Sequence, residues 1–421
     1  MKIQILELNN FRKYEGLKIV FPQENFLVLI GPNGGGKTTI LDALSYCFSH
    51  ITGQLFYDHP KYKVETMLNN DDIQVGKNIA TCIAKVNWPN IDLKIVVSKK
   101  LNETDTSYDI EPDNFLLSIR KQIKEDKFFN LPVLHYYRTN RTDISYTHIP
   151  LDPTYDSRLW AYSHGFSKSI SSFKDFEFWY SAVSKIGHNS TSKQFQIGSL
   201  NRLILSLLNN LNDENKYQDI RLTHSNPTEP AIADQYRIEI KIENSWIKLR
   251  NISSGEKYLI LLIGDIARRL LVSNNGTEDS FKGFGIILID EIELHLHPSW
   301  QRKVIEAITT SFPNIQFIFS THSPQVLSSV SDENILILDK DKWYTTGINP
   351  HGKDSNSILE ELMSTSKRPK DIENKIQKLL ENLAIEKKIS IESQKLFNEI
   401  EQELSADDHT LARLKIKMEL L

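Results

Sequence analysis

The stretch Phe26-Leu27-Val28-Leu29-Ile30-Gly31-Pro32-Asn33-Gly34-Gly35-Gly36-Lys37-Thr38-Thr39 decides the architecture of this chain. Five consecutive apolar residues predict a strand buried on both faces. The glycine-rich turn after them fits G-x-x-x-x-G-K-[ST], and Thr38 to Phe48 reads as the helix that the turn opens. Glycines there let backbone N–H groups turn inward around phosphate oxygens, and the helix N-terminus adds partial positive charge. The pattern makes Asn33, Gly34, Gly35, Gly36, Lys37, Thr38 and Thr39 candidate ligands of a nucleotide. Lys37 suits the β/γ-phosphates and the Thr38 hydroxyl suits magnesium. The competing reading is a glycine turn that merely precedes a lysine; the flanking strand and helix argue against it.

Three segments downstream narrow the chemistry. Gly285-Ile286-Ile287-Leu288-Ile289-Asp290-Glu291 is a second buried strand, ending in two adjacent acids. Asp290 is placed to hold a magnesium shell, and Glu291 to orient an attacking water. Thirty-seven residues before Asp290, Ile252-Ser253-Ser254-Gly255-Glu256-Lys257 puts hydroxyls and N–H groups at a helix start, as an anion site needs. An ordinary N-cap reads the same way. Thirty-two residues after Asp290, His322 stands in Phe319-Ser320-Thr321-His322-Ser323-Pro324, placed for a γ-phosphate hydrogen bond or simply a surface histidine. Order and spacing lend these segments a weight that none has alone.

The rest of the chain bounds the problem. Its 421 residues are 40% apolar and 25% charged, a globular balance. A net charge of −4 announces no general affinity for nucleic acid, although a local basic groove and a DNA contact stay open. Cys47 and Cys82 build neither a disulfide framework nor a zinc site. The longest apolar runs, Phe26 to Ile30 and Tyr258 to Ile263, fall short of a membrane span, so a cytoplasmic protein is expected. Alternation predicts a hairpin from Ile3 to Phe21 turning at Glu15-Gly16, and another over Tyr236 to Leu249. A helix is expected from Ser299 to Thr310, a strand from Ile315 to Phe319, and loops at the Asn-rich pieces Asn69-Asn70 and Asn209 to Asn212. Residues 371–421 carry 11 acids and eight lysines or arginines without valine, tyrosine, tryptophan or glycine, and repeat leucine and isoleucine at helical spacing. Asp407-Asp408 offers an N-cap for the last helix.

The set GPNGGGKT, ISSGEK, GIILIDE and STHS resembles the head of ABC-type ATPases in the SMC, RecF and OLD branch, an α/β P-loop NTPase fold. Leu8-Asn9-Asn10-Phe11-Arg12-Lys13-Tyr14 is similar to that branch's opening, which implies that Arg12 approaches the nucleotide. Glu293-Leu294-His295-Leu296-His297-Pro298 resembles its D-loop; a metal site on His295 and His297 lacks a third ligand. The match covers about 1–50 and 236–345. It implies a discontinuous core at 1–50 and 236–350, inserted strands and a helical lobe at 51–235, and a helical appendage at 351–421. The 216 residues between Lys37 and Ser253 exclude a transporter cassette, and there is no room for SMC coiled coils or an OLD Toprim domain. Tyr136-Tyr137-Arg138-Thr139-Asn140-Arg141, the aromatic stretch Phe173 to Tyr180 and the helical tail resemble stand-alone defence ATPases, most of all the Septu antiphage ATPase family (PtuA). Plainer readings stand beside these: Arg138 and Arg141 as salt-bridge partners, and Phe173, Phe176, Phe178, Trp179 and Tyr180 as packing. No Q-loop glutamine declares itself, Gln74 being one option.

The resemblance implies an ATP- and Mg2+-dependent sensor whose signature residues Ser253 and Gly255 act on nucleotide held by another copy of the chain. It further implies a partner HNH endonuclease (PtuB-like), since no nuclease constellation is visible in this sequence. The alternative is a RecF-like DNA-binding repair ATPase. Leu379, Leu380, Leu383, Leu396, Phe397 and Ile400 of the tail are expected either to anchor a partner or to cover the chain's own surface.

Overall fold

The computed structural model describes residues 1–55, 67–139, 157–166, 172–187, 190–212, 215–224, 236–274, 278–339, 342–345, 347–363, 368–385, 388–404 and 408–420. They divide into two units, Met1–Gly352 and Lys353–Leu421. In the first unit β1 (Lys2–Phe11), β2 (Tyr14–Val20), β4 (Ile79–Trp88), β5 (Ile91–Lys100) and β6 (Thr106–Glu111) form an antiparallel sheet, ordered β2-β1-β4-β5-β6. Period-two alternation builds it: Ala80, Cys82, Ala84, Val86 and Trp88 of β4 all reach the core. The β1–β2 turn falls at Arg12-Lys13, not at Glu15-Gly16, because Phe11 pairs directly with Tyr14. Arg12 takes a left-handed φ of 51° there. Its N–H donates to the Asp72 carbonyl at 2.8 Å, which helps to offset the strain.

The second sheet carries the chemistry. β3 (Phe26–Ile30), β7 (Val133–Tyr137), β11 (Gly285–Ile289), β12 (Ile315–Ser320), β13 (Ile335–Asp339) and β14 (Lys342–Tyr344) run in the order β14-β13-β3-β12-β11-β7. Every neighbouring pair is parallel except β13–β14. All residues of β7, β11 and β12 are buried, as a parallel sheet covered on both faces requires. α1 (Lys37–Leu55) packs on strands of both sheets and keeps no polar face, burying Ile40, Leu41, Leu44, Tyr46 and Phe48 alike. α2 (Phe115–Glu125) seals the antiparallel sheet, Phe115 meeting Trp88 edge-on at 5.0 Å.

Around this core lies a lobe of α3 (Ser172–Gly187), α4 (Thr191–Asn212) and α5 (Ser254–Ser273) with a sheet ordered β10-β9-β8. Its strands are β8 (Tyr217–His224), β9 (Tyr236–Ile242) and β10 (Ser245–Lys248). Residues 51–235, expected as one insertion, are shared out differently: β4–β6 complete the sheet of β1, and β7 joins the parallel sheet beside β11. β7 is only five residues long and its partner follows some 150 residues later, so no local pattern reveals the pairing. Asn209 and Asn212 lie on α4 and not in a loop. Phe173, Phe176 and Tyr180 are buried, Phe176 facing Gly264 of α5, whereas Phe178 is exposed. The helix expected over Ser299 to Thr310 breaks into α6 (Pro298–Gln301) and α7 (Val304–Ser311), and α8 (Pro324–Leu327) follows β12.

The second unit comprises α9 (Ser355–Glu361), α10 (Lys370–Ile385), α11 (Ile391–Glu403) and α12 (His409–Glu419). Ile376, Leu379, Leu383, Phe397, Ile400, Leu411, Leu414 and Met418 form its core, with Leu380 and Leu396 packed against it. The apolar anchors expected for a partner are thus consumed within the appendage, since short helices gain more by burying these side chains on one another. Asp408 caps α12, accepting from the Thr410 N–H at 2.7 Å; Asp407 lies outside the described residues. Among the described residues no helix is long and apolar enough to cross a membrane.

Candidate nucleotide-binding site

The turn between β3 and α1 is built for close backbone approach. Gly31, Gly34 and Gly36 have φ of 148°, 74° and 103°, which side chains resist. A Cβ on Gly31 would run into the Leu338 carbonyl, and one on Gly36 into the Tyr14 hydroxyl. Lys37 Nζ donates to the carbonyls of Gly31 at 2.8 Å and Pro32 at 3.2 Å. On the turn's other carbonyls, Lys13 Nζ donates to Gly35 at 2.7 Å and Gly34 at 3.2 Å, and Tyr14 Oη to Gly35 at 3.2 Å. Burial lowers the Lys37 pKa against the pull of Asp290, Glu291 and Glu293.

The parallel register brings the remaining groups to the same edge. Thr38 Oγ1 donates to Asp290 Oδ2 at 3.0 Å, a hydroxyl and a carboxylate converging as a hard cation takes them. Ser320, at the end of β12, donates its hydroxyl to Asp290 Oδ1 and accepts the Glu291 N–H at 2.9 Å. Glu291 sits at φ 49°, a left-handed conformation at the strand end. Glu293 accepts from Thr321 Oγ1 at 2.8 Å and from the His322 N–H at 2.6 Å, tying the D-loop segment to the histidine segment. Burial, then the nearby Lys37, keeps the His322 pKa below its ordinary value. A cavity of about 220 Å³ is lined by Asn33, Gly34, Gly36, Lys37, Thr38, Thr39, Asp290, Glu291 and His322.

Three predicted residues lie elsewhere. Ser253 and Gly255 start α5 outside this cavity's lining, and a Cβ on Gly255 would approach the His295 carbonyl to 2.6 Å. Arg12 is engaged by two carboxylates, 2.9 Å from Asp42 and 2.8 Å from Asp72, and does not line the cavity. Two buried acids thus set the direction of this guanidinium. Arg138 pairs with the same Asp42 and lies over the Tyr136 ring, while Asn140 and Arg141 fall outside the described residues. His297 caps α6 through Ser299, and among the described residues no three metal-binding side chains cluster. Gln74 donates to the Lys13 carbonyl at 3.3 Å. Lys13, Tyr14, Ser320 and Glu293 were not singled out from sequence. Lys13 and Tyr14 follow Arg12, Ser320 opens STHS and Glu293 opens the D-loop stretch. Yet no spacing rule assigns the first two to the phosphate turn, Ser320 to Asp290 or Glu293 to the His322 segment.

The family described as "AAA domain, putative AbiEii toxin, Type IV TA system" matches residues 26–328. The chain belongs to this family. It is 29% identical to "Retron Vc95 probable ATPase" of Vibrio cholerae serotype O1 biovar El Tor, over 88% of this chain and 80% of that protein. It is 25% identical to "Septu protein PtuA" of Bacillus thuringiensis, over 81% of this chain and 76% of that one. The fold is that of an SMC head: the SmcHead bound to the C-winged helix domain of ScpA superposes with a TM-score of 0.51 at 18% identity, over 83% of this chain and 98% of that one. The protein is an ATPase of this AAA-domain family with an SMC-type head fold.

Proposed function

We propose that this ATPase binds and hydrolyses ATP at composite sites, each joining the phosphate turn of one chain to the signature loop of a second. Lys37 and the turn's N–H groups hold the phosphates. Magnesium on Thr38 and Asp290 would supply charge neutralisation at the phosphates. Glu291 orients the attacking water and His322 meets the γ-phosphate. Ser253 and Gly255 complete the site from the second chain. Supporting this reading, a cavity holds the phosphate turn, both acids and His322, while the signature loop of the same chain lies outside its lining. The nucleotide state then governs a separate HNH nuclease effector in antiphage defence, as the likeness to a Septu protein supports.

Mixing subunits tests the arrangement. Lys37→Ala and Ser253→Arg chains, each inactive alone, should regenerate one competent site per dimer and restore ATP turnover. A mixture of folded variants that stays at zero excludes sites shared between chains. Co-purification with an HNH protein encoded beside this chain tests the effector.

A further inference from the structure

Ser253 does not offer its hydroxyl freely to an anion. Its Oγ donates to Glu256 Oε2 at 2.6 Å, and its N–H donates to the same oxygen at 3.1 Å. The Glu256 N–H returns to Ser253 Oγ at 3.3 Å, closing a capping box. Such a box is an ordinary helix start; the far side of the carboxylate is not. Tyr217, on β8 of the lobe, donates its hydroxyl to Glu256 Oε1, and Lys216 Nζ stands 3.7 Å from that oxygen. Tyr217 is buried and its backbone is bracketed by one side chain: the Asn209 amide accepts the Tyr217 N–H at 3.0 Å and donates to the Tyr217 carbonyl at 2.9 Å. Burial pushes the Glu256 carboxyl up, but hydrogen bonds from Ser253 and Tyr217 outweigh it and hold the group below its usual range.

This arrangement has a consequence for phosphate binding. Ser253 has one hydroxyl proton, and Glu256 holds it. When that proton turns to a γ-phosphate, Glu256 loses a donor while its negative charge faces a second anion across a few ångströms, a repulsion that low dielectric enlarges. The donors that remain are the Ser253 N–H on one oxygen and Tyr217 with Lys216 on the other.

We propose that Tyr217 is a positioning residue for the signature contact: it draws the Glu256 carboxylate toward β8 and away from the γ-phosphate that Ser253 must meet. Asn209 fixes Tyr217, so the end of α4 and the start of α5 act on the phosphate as one piece. The proposal rests on the composite-site reading above.

The test uses the full chain carrying Glu291→Gln, with dimerisation in MgATP followed by sedimentation. Binding of a fluorescent ATP analogue to dilute monomer is measured alongside. Tyr217→Phe should weaken the ATP-bound dimer about tenfold, the scale of one hydrogen bond to a charged group, and leave monomer binding unchanged. Glu256→Gln removes the charge that needs restraining, so adding it to Tyr217→Phe should restore the dimer. A Tyr217→Phe dimer as tight as the parent's overturns the proposal, and so does a defect that Glu256→Gln leaves uncorrected, because loss of packing alone would persist. A parent chain that stays monomeric in ATP overturns the composite site itself, an outcome distinct from either.

Discussion

The two units of this chain obey local rules to different degrees. In Met1–Gly352, Arg12, Glu291 and His295 adopt left-handed φ of 51°, 49° and 67° without being glycine. The same unit buries Asp265 completely against Arg268 at 2.7 Å, Arg269 at 2.8 Å and the Tyr137 hydroxyl at 2.7 Å. In Lys353–Leu421, no described residue has a positive φ. Asp354, Ser390 and Asp408 cap their helices, and the ion pairs of Lys375, Lys378 and Lys415 lie at the surface. Strain and buried charge persist only where surrounding structure enforces them. Here Glu291 lines the phosphate cavity and Asp265 with its two arginines is buried on α5, while Asn90 and Glu243 take left-handed φ at ordinary turns between strands. The appendage is made of interchangeable parts; the head is not.

The largest expected effect tests that contrast directly. Glu291→Gln keeps size and hydrogen bonding but removes the base, so turnover should fall by about a hundredfold or more while ATP still binds. Asp290→Ala should instead weaken binding of ATP with magnesium, since it removes the carboxylate that Thr38 faces. The same conservative change in the appendage, Glu392→Gln, should leave turnover unaltered. A Glu291→Gln chain that hydrolyses ATP at the parent rate would show the base assignment to be wrong. Steady-state phosphate release and equilibrium nucleotide binding separate the two outcomes.

What the sequence reveals follows the same division. The phosphate turn was legible because glycine spacing, a five-residue apolar strand and the invariable needs of phosphate coincide within 14 residues. Asp290 and His322 were legible because each ends a buried strand, and the parallel register carries both to one edge. The helices of the appendage were legible from their periodicity and caps. Other features were not. Pairing β7 with β11 depends on a contact across about 150 residues, and β7 on its own is merely apolar. Arg12 was read from resemblance, whereas its direction is set by Asp42 and Asp72, acids that no spacing ties to it. The Tyr217–Glu256 contact joins two elements 39 residues apart through side chains that both look like surface residues. Tertiary placement, not propensity, decided each of these.

An intermediate effect concerns stability. Leu379 is fully buried in the appendage core, and Leu379→Ala should cost that bundle about 2–5 kcal/mol through lost transfer energy and the cavity left behind. The half-buried Leu396 should cost less on the same change. If the appendage is a regular bundle and catalysis belongs to the head alone, turnover per chain should survive a Leu379→Ala change that lowers the helical transition. Loss of turnover in step with loss of helicity would abolish the contrast between the units. Thermal unfolding by circular dichroism, read beside ATP hydrolysis, decides.

The smallest effect separates the units by acid. His50 of α1 stacks on Tyr108 with ring centroids 3.9 Å apart, and its Nδ1 has no hydrogen-bond partner. Burial lowers its pKa to about 4. The unfolded chain therefore binds a proton near pH 6.5 that the folded head refuses. Stability should decline as pH falls from about 6.5 to about 4, and this contribution should level off below that. With partial solvent access the loss is about 2 kcal/mol. His135 and His322, both also held below their ordinary values, act in the same direction. His50→Phe keeps the stacked ring without the proton, so its unfolding free energy should fall less steeply over that interval. The appendage behaves otherwise. Its Asp408 carboxyl lies below its ordinary value: burial raises it, but hydrogen bonds from Arg368 and the α12 N–H groups prevail. That contribution is intact above about pH 4 and is lost only as the pH falls further. Between pH 6.5 and 4 the bundle should thus hold its helicity while the head loses stability, and parallel acid titrations of near- and far-ultraviolet signals would show whether the two curves part.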